Sequence, residues 1–299
     1  MKKYIAEFLS ILMLVGGIMF FGGCGKKEDV VVFPDNVNEL IGAENSELAE
    51  SSNVRIMSAN VLVHIKGWGG TPVLPRAQVF SQMLNHYLPD VVALQEFCRD
   101  WYRLLPPLIE ENYQLVDTKK SDYTTMIYNK NTLNMIDSGV LRYSKESNKN
   151  CRFVVWAVFE KKDTGERFSV TSTHWDFGME DKKVEMRNTQ IAELNDLVKK
   201  LNSQYNAPVF ACGDFNCFEN DKNNGADSYQ KFVEVSGTKD AKFIDGITLN
   251  IGKATTFEEE SWDHIFVTNN TEIKSFTILA EDYSKEFSDH YPIFVDAKI

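Results

Sequence analysis

A chain of 299 residues with 43% hydrophobic and 25% charged positions has the composition of a globular protein with one large core, which excludes collagen-like, coiled-coil and disordered architectures. Its 32 basic and 43 acidic side chains give a net charge of −11, so no overall positive field gathers polyanions and phosphate binding has to be local. Five cysteines with no paired CxxC or Cys/His spacing are too few for a disulfide scaffold and argue against structural zinc.

The chain opens with Lys2 and Lys3, then an uncharged run from Phe8 to Phe21, then Gly22, Gly23 and Cys24. That is the order of an export signal: a basic start, an apolar stretch and small residues at a cleavage point. The run is shorter than the ~20 residues of a permanent span, and Glu7 blocks its extension. Small residues directly before a cysteine resemble the lipobox of bacterial lipoproteins, although Phe21 stands where that motif usually carries Leu. The resemblance implies a signal peptide over 1–23, lipidation of Cys24, and export to the outer face of the cell membrane. Residues 24–51 are rich in Asn, Glu and Ser without periodicity and are expected to form a flexible tether. Residues 52–299 carry no proline- or glycine-rich break and no solenoid repeat, which predicts one domain.

In chain order, short β-branched or aromatic runs separated by polar turns predict strands at 54–63, 90–96, 113–117, 124–129, 134–143, 153–160, 167–175, 208–215, 262–268, 271–280 and 291–299. Helical periodicity is clear at 76–88 and 179–201, with shorter candidates at 101–110 and 228–236. Tight turns such as KDTGER (162–167) require antiparallel neighbours, whereas the helices provide crossovers. The expected fold is α/β (α+β): a four-layer sandwich of two packed mixed β-sheets flanked by helices. On the second long helix Val184, Ile191, Leu194, Val198 and Leu201 form an inward stripe that also includes Arg187. Such an arginine either snorkels at the end of the stripe or supports an acidic site at the sheet edge.

Polar residues gather where the apolar runs stop: Asn60, Glu96, His174, Asp214 with Asn216, Asp263, and Asp289 with His290. If the strand reaches Asn216, alternation places it on the same face as Asp214. Carboxylates, amides and imidazoles at one rim, without a GxSxG elbow, suit a hard divalent cation and water chemistry more than acyl transfer.

The ordered set Asn60, LQE (94–96), TSTHWD (171–176), GDFN (213–216), WDHIFV (262–267) and SDHYP (288–292) resembles the endonuclease/exonuclease/phosphatase family of deoxyribonuclease I-like phosphoesterases. The resemblance spans nearly the whole expected domain and implies the deoxyribonuclease I-like form of the sandwich. It implies that Glu96, with Asn60 and Asp289, holds Mg2+ or Mn2+. It implies that Asp214 orients or deprotonates the attacking water, that Asn216 donates to the phosphate, and that His290, oriented by Asp263, faces the scissile group. His174 becomes the second imidazole on the phosphate or leaving group, with Asp122 a candidate to orient it, and Arg152 matches a phosphate-binding arginine. His64, His86 and His264 have no such support and are expected to be structural.

The expected function is metal-dependent hydrolysis of a small, lipid or nucleic acid phosphoester by water attack on phosphorus, at a membrane reached through the lipid anchor. An extracellular nuclease of the same family is the alternative, and an idle binding lipoprotein is disfavoured because every motif residue is present. No protein partner is implied. Trp68, Trp101, Trp175 and Trp262 are candidates for stacking on a base, sugar or headgroup, although for each singly packing is preferred.

Overall fold

The structure, a computed structural model, describes residues 47–64, 71–116, 123–146, 151–178, 180–219, 226–251, 254–256, 260–280 and 282–299. The expected signal peptide, Cys24, most of the expected tether, Trp68 and Asp122 lie outside the described residues. In chain order the elements are β1 (Val54–Asn60), α1 (Val73–Tyr87), β2 (Val91–Phe97), α2 (Arg99–Leu104), α3 (Pro106–Ile109), β3 (Tyr113–Leu115), β4 (Tyr123–Asn129), β5 (Leu133–Arg142) and β6 (Phe153–Lys161). They continue with β7 (Arg167–His174), α4 (Asp181–Tyr205), β8 (Val209–Asp214), α5 (Ala226–Ser236), β9 (Thr238–Asp240), β10 (Thr248–Asn250), β11 (Asp263–Thr268), β12 (Glu272–Ile278) and β13 (Ile293–Lys298).

The strands form two mixed sheets, one in the order β10-β12-β13-β1-β2-β4-β3 and the other in the order β5-β6-β7-β8-β11-β9. Two parallel pairings follow a helix that carries the chain back, β1 with β2 across α1 and β7 with β8 across α4, while β10 and β12 are parallel across the intervening strand β11 of the other sheet. Hairpin neighbours such as β6 and β7 are antiparallel. Between the sheets Ile56, Val91, Ala93, Phe159, Phe168, Val170, Phe210 and Ile265 are buried in one apolar cluster. Outside the second sheet Ile191, Leu194, Val198 and Leu201 of α4 and Phe232 of α5 pack on Val154, Val158, Val209, Ala211 and Phe266. Across the first sheet α1 sets Tyr87 against Phe294 of β13, 5.7 Å between ring centroids. The four layers therefore arise from period-two burial in the strands and period-3.6 burial in the helices.

The short strands β9 and β10, three residues each, go unanticipated because so few residues carry no alternation. α1 begins at Val73, ahead of the predicted start, because Pro72 precedes it as the N-cap with a fixed extended conformation. Just ahead of β1 the chain is held on β13. Arg55, 1% exposed, makes a two-pronged ion pair with Asp296 at 2.6 and 2.8 Å and donates from Nη2 to the Glu47 carbonyl, and the Ala49 N–H donates to Asp296. Among the described residues no helix is long and apolar enough to cross a membrane, and Cys98 and Cys212 are free, buried thiols.

A second buried polar cluster joins β11 to the layer beneath α5. His264 Nδ1 lies 2.8 Å from Asp240 Oδ2, which also accepts from the Tyr229 hydroxyl at 3.0 Å, and His264 Nε2 lies 2.9 Å from the Cys217 carbonyl. Burial by itself lowers the pKa of His264, but the Asp240 charge and hydrogen bond and the Cys217 carbonyl outweigh it and raise the value. His264 is thus a structural imidazolium, and it pins the backbone that follows GDFN.

Two stability outcomes follow from this packing. Phe210→Ala, at the centre of the inter-sheet core, is expected to cost about 3–5 kcal/mol, read from urea midpoints; a loss under about 1 kcal/mol contradicts the packing described. Because the folded pKa of His264 is raised, its stabilisation is complete below the ordinary histidine value of about 6.5 and declines as pH rises through the folded value. The stability difference between wild type and His264→Gln should therefore shrink as pH rises above about 6.5, whereas a difference that grows with pH refutes the paired imidazolium.

Candidate active site

Three polar side chains stand in one row across the second sheet. The parallel register sets His174 of β7 beside Asp214 of β8, and the antiparallel register sets Asp214 beside Asp263 of β11, so all three project from the same face. Gly213 allows that row to close, because a Cβ there would lie 2.2 Å from the Thr173 carbonyl oxygen. His290 arrives on the segment entering β13, through an isolated bridge to Thr256. Its Nδ1 is 2.7 Å from Asp263 Oδ2, and its N–H donates to Ser288 Oγ, which donates in turn to the Asn60 carbonyl at 2.6 Å.

The first sheet contributes Glu96 and Asn60. The β2–β4 ladder skips from Gln95 to Phe97, and Glu96, at φ 58°, is the extra residue of a bulge that turns its side chain toward the rim. Glu96 Oε2 accepts from the Val63 N–H at 2.9 Å, and Oε1 accepts from Asn60 Nδ2 at 3.2 Å. The same Asn60 amide nitrogen donates to Asp214 Oδ2 at 3.0 Å, so one side chain joins carboxylates from the two sheets. Beneath it Gln95 Nε2 donates to Ser172 Oγ, which donates to the Leu94 carbonyl. Sequence reasoning missed Arg76, whose Nη1 donates to the carbonyls of Val61, Leu62 and Phe287 while its guanidinium covers the Trp101 ring. The available signal was a cation on the inward stripe of α1 with Phe80, Met83 and Tyr87.

Burial and neighbouring charge divide the titratable groups. Burial, then the Asp263 charge, pushes Asp214 up to about 7 against the opposing pull of His290, the Asn216 N–H and Asn60. Burial pulls His290 down, but Asp263, Asp214 and Asp289 outweigh it and raise the imidazole to about 10. His174 moves the other way: burial, then the charges of Arg152 and His290, holds it well below the ordinary value. The centre therefore contains an imidazolium and a neutral imidazole, with Nε2 atoms 4.0 and 3.4 Å from the same Asp214 Oδ2. His174 Nδ1 is buried without a hydrogen-bond partner among the described residues.

Three other expected site residues take different positions. β8 ends at Asp214, so strand alternation does not bring Asn216 to its face. A left-handed Asn216, at φ 49°, does so instead, its N–H donating to Asp214 Oδ1 at 3.0 Å and its Nδ2 to the Trp175 carbonyl at 2.9 Å. Arg152 is near enough for its charge to act on His174, and its Nε lies 3.9 Å from Asp176 Oδ1. Asp289 is exposed at the mouth, and its Oδ1 is 3.5 Å from Ser288 Oγ. Arg187 is fully buried and donates from Nη1 to the carbonyls of Asp176 and Gly178, so it supports the loop after His174 rather than snorkelling.

The donor chemistry suits a hard divalent cation. Donor atoms of Asp214, Asp263 and His290 lie within 4.8 Å of one another, and within that trio His290 Nδ1 is already taken up by Asp263. The oxygen-only side, formed by Glu96 and the Asn60 carbonyl with Asp289 at the mouth, fits an ion that takes few protein carboxylates and keeps its waters.

Comparison with curated proteins gives no match, whereas solved structures share the fold. They include the endonuclease/exonuclease/phosphatase from Bacteroides vulgatus, at 21% identity over 82% of this chain and 98% of that one with a TM-score of 0.69. The Bacteroides thetaiotaomicron mannosyl-6-phosphatase is 20% identical over 83% of this chain and all of the other (100%), with a TM-score of 0.66. The human Nocturnin catalytic domain with bound sulfate is 20% identical over 82% and 94%, also with a TM-score of 0.66. Residues 57–290, which hold every motif from Asn60 to His290, match the Endonuclease/Exonuclease/phosphatase family, and the chain belongs to that family.

Proposed function

We propose that the protein is a Mg2+- or Mn2+-dependent hydrolase of small phosphoesters that delivers water to phosphorus. The observation that carries this reading is Asp214 Oδ2, buried and held between the Asn60 amide and two imidazoles of opposite charge state. A carboxylate pushed up to about 7 is matched to taking a proton from water near neutral pH, and the Asn60 and Asn216 hydrogen bonds fix the direction in which its lone pairs point.

Each remaining group has a task in an in-line displacement. His290, kept protonated and oriented by Asp263, places positive charge beside the phosphoryl oxygens as negative charge develops there. Neutral His174 faces the leaving side, and Arg152, a planar fork at its flank, binds a phosphate oxygen. Glu96, with Asn60 and Asp289, would hold the cation, which supplies Lewis-acid neutralisation of phosphate charge. No covalent enzyme intermediate is required, because water is the nucleophile. The family phosphatase and Nocturnin folds noted above support this class of chemistry. Export and anchoring at Cys24 belong to the same proposal and rest on the sequence order from Lys2 to Cys24.

Hydrolysis by the full chain of p-nitrophenyl phosphate, bis(p-nitrophenyl) phosphate, RNA and plasmid DNA is the direct test. Turnover is expected with Mg2+ or Mn2+, lost in EDTA, and reduced by about 10²–10⁴-fold in Glu96→Ala and His290→Ala with unchanged circular dichroism. Wild-type rates in either variant would contradict the assignment, and preference for RNA or DNA would convert it to a nuclease. For the anchor, palmitate labelling in a bacterial host is expected in the wild type and absent in Cys24→Ala; equal labelling of both removes Cys24 as the acceptor.

A further inference from the structure

Beside the acid–base row stands an aromatic pair to which the proposed chemistry gives no task. Phe177, three residues beyond His174, is 55% exposed, and its ring centroid lies 5.5 Å from that of Trp262 at an interplanar angle of 57°. Trp262, directly before Asp263, is half-buried with its ring centroid 6.1 Å from that of His290. Of the other tryptophans considered for stacking, Trp101 and Trp175 are wholly buried in packing.

An exposed phenylalanine is ordinarily incidental. This one is held in place by buried polar groups. Arg187 Nη1 donates to the carbonyl before it, on Asp176, at 2.8 Å and to the carbonyl after it, on Gly178, at 2.6 Å. Asp176 is anchored again through the Gln190 side chain, which accepts from its N–H at 3.0 Å and donates to its Oδ2 at 2.8 Å. Gly178 at φ +115° makes the turn that a side chain would strain. On the other wall the Trp262 carbonyl accepts from the Phe215 N–H at 2.8 Å, in the strand pair that carries Asp214. Both rings are thus carried by the backbone segments that position His174 and Asp263, with more than half of the Phe177 side chain open to solvent.

We propose that Phe177 and Trp262 form a platform for a ring in the organic part of the phosphoester, so that the enzyme favours ring-bearing esters over ringless ones. The inference rests on the phosphoester reading and extends it to the substrate class. An exposed aromatic ring next to the phosphate site, backed by a second ring tilted against it, binds a ring by stacking and burial without hydrogen-bond readout, so the shared chemistry covers aryl, nucleobase and sugar rings.

The test compares kcat/KM of the full chain for p-nitrophenyl phosphate, a nucleoside 5′-monophosphate and a hexose 6-phosphate with that for ringless glycerol 2-phosphate. In Phe177→Ala the ratio of at least one ring-bearing ester to the ringless ester is expected to fall roughly tenfold, the scale of one stacking contact, mainly through KM. Phe177→Trp should restore it, and the ester that responds identifies the kind of ring. Ratios unchanged in Phe177→Ala overturn the platform while leaving the hydrolase reading intact. Hydrolysis of none of the four esters by wild type overturns the small-phosphoester reading and the platform together.

Discussion

The Asn60 side-chain amide is the interaction on which the site depends. It comes from the end of β1 in the first sheet and donates to Glu96 of that sheet and to Asp214 of the second. Two carboxylates facing each other across a sandwich repel unless donors lie between them, and an amide hydrogen atom for each satisfies both without adding charge. The Glu96 side and the Asp214 side of the centre are thereby joined by one residue. Its own carbonyls are secured in turn: the main-chain one accepts from Ser288 and the side-chain one from the Leu62 N–H. Arg76 gathers the carbonyls of Val61, Leu62 and Phe287 behind them.

A charge gradient runs across this frame. The neutral imidazole of His174 lies on the Arg152 side, where burial and neighbouring cations leave no room for another positive charge. The protonated imidazole of His290 lies on the side of Asp263 and Asp289. Two histidines that look equivalent in the sequence are driven toward opposite protonation states by their neighbours, and the proposed hydrolysis would use that division for separate tasks. The Asp263–His290 hydrogen bond also sets ring orientation, so in the proposed hydrolysis Asp263 would act on substrate only through His290.

Much of this was legible in the sequence because apolar runs ending in acid, amide or imidazole mark strand ends at one rim, and eleven predicted strand segments were enough to call for two mixed sheets. What was not legible depends on residues far apart in the chain or on local backbone geometry. The Asp240–His264 pair joins residues separated by 24 positions, and no local pattern announces it. The bulge at Glu96 and the left-handed conformation of Asn216 occur at residue types that give no glycine signal. Alternation therefore pointed Asn216 to the right neighbour for the wrong reason, since its strand stops two residues earlier. Arg187 was visible as an irregularity on a helical stripe, but only the fold shows that it grips the two carbonyls around Phe177.

The register of β11 against β8 places Asp263 opposite Asp214 and His264 opposite Gly213. Those adjacent residues point to opposite faces, Asp263 to the catalytic row and His264 to the structural pair with Asp240. A slip of one residue would exchange them, presenting an imidazole where the row needs a carboxylate and facing an aspartate toward Asp240. Such a misfolded state would strand two like charges in a dry interior while losing the orienter of His290. Folding fidelity and catalytic competence are therefore checked by the same pair of neighbouring side chains, so a chain that has closed β11 wrongly is penalised in stability before it can persist as an inactive look-alike.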